Sequence, residues 1–253
     1  GGGGKAIGYL IENADSNHGT LMVHSTPIVI RSLTGVFPHN FRDLTLVSGT
    51  IGDYAALVVP ANSSIKNMGD LVAAYNANPS DVAIGGGSVP GGMDHLVAAM
   101  VMQAAGADPT EVKYIAYDAG GKAMAALLSG EIKALSTGFS EAVAMAKAGE
   151  ANIIGVTSDK RVGALPEAMT MKEQGIDTYF VNWRGFFAAP NLPKDKLVAY
   201  QKAIDKMYGT DEWEAVRSRN GWENIHNPGA KFMTFLEQQE KDISTLMKKL
   251  GFL

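Results

Sequence analysis

The sequence predicts an α/β protein. Short apolar runs alternate with segments of helical periodicity along most of its 253 residues. Three of those runs end in glycine- or hydroxyl-rich turns that open directly into helices. No fixed-period repeat or low-complexity tail competes with this reading.

In chain order, Gly1 to Gly4 read as a glycine loop opening a helix through Ile11. Such a loop ordinarily follows a strand, so either sequence precedes Gly1 or the glycines are a flexible scar. Asn17-His18-Gly19 makes a turn. Thr20 to His24 is a strand ending in Ser25-Thr26-Pro27, with Pro27 at the start of a helix. Leu44–Thr50 and Tyr54–Pro60 read as two strands, the second carrying the apolar run of a buried strand. Met68 to Asn76 is a helix.

The organising stretch is Val82 to Leu96. A strand enters Gly85-Gly86-Gly87-Ser88, and Leu96, Met100, Val101 and Ala104 then share one helical stripe. The first turn of a helix leaves N–H groups unpaired at the positive end of the dipole, and glycine lets backbone approach a ligand closely. An anion is the ligand this suits. The same design recurs at Val112–Tyr117, Asp118-Ala119-Gly120-Gly121 and the helix Lys122–Leu128, which Ser129-Gly130 ends. A third copy runs through Ile132–Leu135, Ser136–Ser140 and the helix Glu141–Lys147. In a parallel sheet, the default for this alternation, the three turns lie together at the strand carboxyl ends, where open α/β sheets bind ligands.

Beyond Lys147, Asn152–Thr157 is a strand, Pro166 begins a short helix ending at Gln174-Gly175, and Thr178–Ala188 is an aromatic strand or strand pair. Helices follow at Lys194–Tyr208, Asp211–Asn220 and Pro228–Leu250. The last carries an apolar stripe of Phe232, Phe235, Leu236 and Ile243 and reads as a packing helix.

Composition narrows the function. A net charge of −4 and the lack of any Lys/Arg cluster argue against nucleic acid. No apolar run reaches membrane-spanning length. Cysteine is absent, which an oxidising compartment tolerates. The glycine turns match neither nucleotide fingerprint: Pro90 stands where G-x-G-x-x-G needs its third glycine, and no Lys-Ser or Lys-Thr follows Gly91-Gly92. The five histidines show no zinc spacing. No G-x-S-x-G elbow exists, so Ser88 reads as a hydroxyl donor rather than a nucleophile.

Several side chains carry two readings. Ser25 and Thr26 either meet a ligand or cap the helix at Pro27. His95 either bonds a ligand or packs under its loop. Asp94 and Asp118 disfavour a bare anion at contact distance, and instead cap N–H groups or act through water. Arg184 either forks onto a carboxylate or sits in an interface between lobes, beside Trp183.

One ordered series carries a resemblance. It comprises Gly85-Gly86-Gly87-Ser88 with Gly92-x-Asp94-His95-Leu96, Ala105-Gly106-x-Asp108-Pro109, Tyr117-Asp118-x-Gly120-Gly121 with Ala125-x-Leu127-Leu128-x-Gly130, Lys172–Asp177, and Asn182-Trp183-Arg184-Gly185. This series resembles the substrate-binding proteins of tripartite tricarboxylate transporters, near the citrate-binding branch and related to the Bug proteins. Each piece is weak alone; the set spans nearly the whole chain.

The resemblance implies a type II periplasmic binding protein: two α/β lobes, a hinge and an interlobe cleft. Lobe 1 would be residues 1–60 plus 185–253 and lobe 2 residues 61–184, hinged near Val58–Ala61 and Asn182–Gly185. The expected ligand is a di- or tricarboxylate such as citrate, held by loop N–H groups, hydroxyls and water, largely without arginine. The expected contacts are Ser25, Thr26, Gly87, Ser88, Gly91, Gly92, Asp94, Asp118, Gly120, Gly121, Ser136, Thr137 and Ser140, with His95, Trp183 and Arg184 as further candidates. No catalytic residue, cofactor or metal is expected. The partners would be the permease subunits in the membrane, the receptor a monomer, and its place the periplasm, any leader already removed. Members of this family also begin with a strand, a ligand loop, a long helix and a second strand ahead of the segment matching Gly1–Gly4, so the resemblance implies a longer parent chain, with an intact mass above 26.8 kDa by several kilodaltons. The rivals are an enzyme using Asp94 and His95 as an acid–base pair, and a sensor subunit presenting bound solute to a signalling partner.

Overall fold

The computed structural model describes residues 3–253; the expectations for Gly1 and Gly2 lie outside the described residues. The elements in order are α1 (Gly4–Glu12), β1 (Leu21–Ser25), α2 (Pro27–Leu33), β2 (Thr45–Pro60), α3 (Met68–Ala77), β3 (Ile84–Gly86), α4 (Met93–Ala104), β4 (Tyr114–Ala116) and α5 (Gly120–Ser129). There follow β5 (Ala134–Gly138), α6 (Phe139–Lys147), β6 (Ala151–Val156), β7 (Val181–Ala188), α7 (Lys194–Tyr208), α8 (Asp211–Asn220), β8 (Glu223–Pro228) and α9 (Ala230–Lys249).

Strand β2 ties the molecule together. Where the sequence predicted two strands, one 16-residue strand runs straight through Ile51-Gly52-Asp53. Its first part pairs antiparallel with β7, from Thr45↔Ala188 to Tyr54↔Val181, and with β8 on the other side. β1 adds to the far edge of β7, also antiparallel. From Ala55 onward β2 pairs antiparallel with β5 and β6, and β5 continues through β3 to β4. One strand therefore belongs to two sheets and changes from one to the other between Tyr54 and Ala55. The chain returns across the same boundary where Phe180 N–H donates to the Thr157 carbonyl and Thr157 Oγ1 donates to the Phe180 carbonyl.

The parallel default holds only for β4-β3-β5. That is the stretch where strands and helices strictly alternate, so right-handed crossovers align the strands. The antiparallel sheet gathers four segments from distant parts of the chain, and local periodicity carries no information about such pairing. β8 escaped the sequence reading because Glu-Asn-Ile-His-Asn-Pro has a single apolar residue and no alternation. The helix expected from Pro166 is only a turn-rich segment with one 3₁₀ turn, Lys172–Gln174, closed by Gly175 at φ 80°.

Alternation along β2 shows why the second half is buried on both faces. Leu57 and Val59 join the larger core with Leu71, Ile84 and Leu96. Ala56 and Val58 join a second core with Leu127, Leu135 and Phe139. Helix α9 buries Phe232, Leu236, Ile243 and Met247 at near-heptad spacing against the first sheet. No helix is long and apolar enough to cross a membrane among the described residues.

Candidate functional site

The three strand-to-helix turns of the second lobe do converge. An ideal Cβ on Gly87 would lie 2.4 Å from the Gly120 nitrogen and 2.7 Å from the Ala119 carbonyl carbon. The β3–α4 and β4–α5 loops therefore touch through main chain, and only glycine permits it. Facing them across a cavity of about 240 Å³ stands α2 of the first lobe. Its wall is Pro27, Ile30 and Arg31, and the opposite wall includes Gly87, Ser88, Gly92, Tyr117 and Asp118. The volume holds roughly eight waters at about 30 Å³ each, the scale of a small organic acid.

The loop chemistry is more committed than the sequence suggested. Ser88 Oγ accepts from the Asp94 N–H at 3.0 Å, capping α4 from four residues before its N-cap position, Gly92. The Tyr114 hydroxyl donates to the Ser88 carbonyl at 2.8 Å and lies 3.1 Å from Ser88 Oγ. The Asp94 carboxyl turns inward, where the Ser88 side chain and the N–H groups of Ser88 and Gly87 bond to it. These donors stabilise its charged form, yet burial, with a contribution from Glu141, pushes the carboxyl up to about 7. Asp94 is thus the group that shapes the loop rather than one presented to the cavity.

This has a measurable consequence. Above about pH 4 the unfolded chain has released the Asp94 proton, while the folded chain keeps it until about 7. The stability associated with that proton is complete below pH 4 and is lost as pH rises through 7. Melting curves between pH 5 and 8 should show wild type losing stability relative to Asp94→Asn as pH increases. Parallel curves for the two proteins would exclude the assignment.

His95 resolves toward packing. Its Nδ1 accepts from the Gly91 N–H at 3.0 Å, and its ring stacks on Tyr114 with centroids 4.6 Å apart and meets Phe252 edge-on. Burial lowers its pKa. Asp94 and His95 are bonded to different loop amides rather than to each other.

On the neighbouring loop, Asp118 is exposed and pairs with Lys122 at 3.2 Å. Gly120 and Gly121 begin α5, whose N-cap residue Ala119 has φ 92° and offers no side-chain cap. Glu141 lies close beside this helix start: it accepts from Thr137 Oγ1 at 2.8 Å, and a Cβ on Gly120 would lie 2.2 Å from its Oε2. Ser136 is fully buried, its hydroxyl without a hydrogen-bond partner. Ser140 donates both its hydroxyl, at 2.6 Å, and its N–H, at 3.2 Å, to Asp53 on β2.

The remaining candidates lie in the first lobe. Thr26 is fully buried and donates to Asn182 Oδ1 at 2.8 Å, which ties α2 to β7. Ser25 ends β1 opposite Arg184. Arg184 donates to the Asn182 carbonyl at 2.9 Å and interacts electrostatically with Asp53. Trp183 is fully buried among Phe187, Phe232 and Phe235. Alternation along β7 places Trp183 in the larger core, and it does not line the cavity described above. Among the described residues no cluster suits a metal ion.

Of the expected contacts, Gly87, Ser88, Gly92 and Asp118 line the cavity between the lobes, while Gly120, Gly121 and Thr137 line an adjoining recess with Glu141. Sequence reasoning missed Arg31, Tyr117, Glu141 and Asp53. A signal existed for Arg31, which stands four residues, one helical turn, after Pro27.

Two α/β lobes joined by a shared strand, with a small cavity between them, define the periplasmic-binding class of fold. The chain belongs to the TctC family, described as the tripartite tricarboxylate transporter family receptor, which it matches over residues 4–252. It is 26% identical over 215 residues to the UPF0065 protein in the gbd 5' region of Cupriavidus necator, covering 83% of this chain. The chain spans 63% of the length of that relative. Among solved structures, the periplasmic binding protein BugD superposes with a TM-score of 0.84 at 19% identity, covering 100% of this chain and 85% of BugD. MatC from Rhodopseudomonas palustris, with bound malate, superposes with a TM-score of 0.83 at 14% identity, covering 97% and 85%.

Proposed function

We propose that this chain is the solute receptor of a tripartite tricarboxylate transporter. It captures a small carboxylate in the periplasm, as a monomer and without a cofactor, and delivers it to the permease subunits in the membrane. The observation that carries this reading is the cavity of about 240 Å³ whose two walls come from different lobes. A ligand there touches both lobes at once, so binding favours closure over opening. Malate in the MatC structure makes a dicarboxylate the first candidate; a tricarboxylate, from the family name, with citrate as the example to try, is the second. We place the lobe boundaries at the sheet change, lobe 1 taking residues 3–54 plus 181–253 and lobe 2 residues 55–180, a few residues from the expected 60/61 and 184/185. The sheet change at Tyr54–Ala55 and the return near Phe180 serve as the hinge.

Thermal shift against malate, succinate, citrate and butyrate, followed by calorimetry, tests the reading. A ligand present at a hundred times its Kd adds about 2.7 kcal/mol to stability, which for a chain of this size raises Tm by roughly 5–10 °C. A one-to-one calorimetric isotherm is expected for at least one acid. Failure of every carboxylate to bind, or consumption of one in the absence of a membrane, would overturn the proposal.

A further inference from the structure

We propose that Arg31 is the residue by which this receptor selects acids with two or more carboxylates, its guanidinium taking the carboxylate at the α2 end of the cavity. The inference rests on the cleft reading above and names a contact that reading does not require.

Arg31 lies in α2, on the wall facing the β3–α4 and β4–α5 loops. Its situation differs from that of four other arginines, and from the exposed Arg219 in its buried Nε. Arg42 closes on Glu240, Arg161 on Glu173 and Arg217 on Glu214, while Arg184 bonds a carbonyl beside Asp53. Among the described residues Arg31 has no ion-pair partner, and its Nε is buried without a hydrogen bond. Among the described residues its guanidinium lies against the Phe37 ring, the guanidinium carbon 5.3 Å from the centroid, and Arg31 and Phe37 also line a recess beside Glu12. That stacking fixes the plane of the group and leaves the buried Nε–H without an acceptor. A buried donor without an acceptor is costly, and a carboxylate supplied from the cavity would remove that cost. The one acid on the opposite wall, Asp118, is already paired with Lys122. The facing wall includes Gly87 and Gly92, whose N–H groups are engaged by Asp94 and by the Val89 carbonyl, and Met93 at the start of α4. A small acid with one carboxylate at each end can therefore meet the positive first turn of α4 at one end and a planar, bidentate cation at the other.

Calorimetry with succinate and butyrate isolates the claim, because the two share a four-carbon chain and differ by one carboxylate. Wild type should prefer succinate. Arg31→Met keeps an apolar stem against Phe37 and should weaken succinate about 10- to 150-fold, the loss of one charged hydrogen-bonded contact. Butyrate should change little, so the succinate-to-butyrate ratio collapses. Arg31→Lys should fall between, keeping charge without the fork. Phe37→Leu, which removes only the stacking partner, should leave the ratio within a few-fold of wild type. An unchanged ratio in Arg31→Met, or in Arg31→Lys where the Met variant does not fold, overturns the inference while leaving the cleft reading intact. Equal binding of both acids by wild type overturns it as well. A wild-type protein that binds no carboxylate overturns the cleft reading first and this inference with it.

Discussion

Gly87→Ala should abolish tight ligand binding while Gly121→Ala leaves the fold untouched. The two glycines look alike in the sequence, each in a turn that opens a helix. Their surroundings differ. A methyl at Gly87 would lie 2.4 Å from the Gly120 nitrogen, 2.7 Å from the Ala119 carbonyl carbon and 2.9 Å from the Gly120 Cα. All three atoms are backbone, so no rotamer change relieves the overlap, and the two loops that make one wall of the cavity must separate. Overpacking of this kind costs about 1–3 kcal/mol, and occasionally more. At roughly 2–4 °C per kcal/mol for a chain of this size, Tm should drop by several degrees. A wall displaced by even 1 Å costs an oriented contact, so affinity should fall by more than about 100-fold, as misplacement does elsewhere. A Cβ on Gly121 meets nothing within 4 Å, and alanine is the better helix former. Its Tm should match or slightly exceed wild type. Gly121→Ala also reads the ligand position: a loss of affinity without a loss of stability places the ligand over the start of α5. Calorimetry on both variants checks the pair, and wild-type affinity in a folded Gly87→Ala protein would show that the loop contact is irrelevant to binding.

This contrast explains what the sequence could reveal. The strand–turn–helix units from Val82 to Lys147 were legible because each is local: apolar run, glycine, helical stripe. Their convergence followed, because β3, β4 and β5 are parallel neighbours. The family was legible for the same reason, since its motifs are those turns. The first sheet was not. Its strands come from four separated segments, and the polar β8 shows no period at all. The fate of individual side chains was legible least. Thr26, Ser88 and Ser140 carry the hydroxyls that a ligand site needs, yet their bonds go to Asn182, to the start of α4 and to Asp53. A hydroxyl at a strand end satisfies either the ligand or the protein, and for Thr26 and Ser140 the positions of residues far away in sequence decide which. Arg31 is the converse case, an unremarkable cation on a short helix until the fold brings that helix to the cavity.

Asp53→Ala should destabilise the protein by about 2–4 kcal/mol, combining a lost helix cap with a buried polar group left unpaired. Asp53 is 1% exposed and lies one residue before Tyr54, after which β2 leaves the first sheet for the second. Its carboxylate accepts from the Ser140 N–H and hydroxyl at the start of α6 in one lobe. Arg184 on β7 in the other lobe stabilises its charge. Burial raises its pKa, and those two partners oppose the rise, which marks a buried group whose cost its neighbours offset. Removing the carboxylate leaves the Ser140 donors and the Arg184 guanidinium without it. The damage should therefore appear at both lobes together: a lower denaturant midpoint, and faster hydrogen exchange at the amides of β7 and of the first turn of α6. Asp53→Asn keeps one acceptor oxygen and should cost less than half as much. A ligand that holds the lobes shut should recover part of the Asp53→Ala loss, because closure supplies contacts between the same two bodies from the cavity side. Loss confined to α6, with β7 protected as in wild type, would show that Asp53 caps a helix and couples nothing.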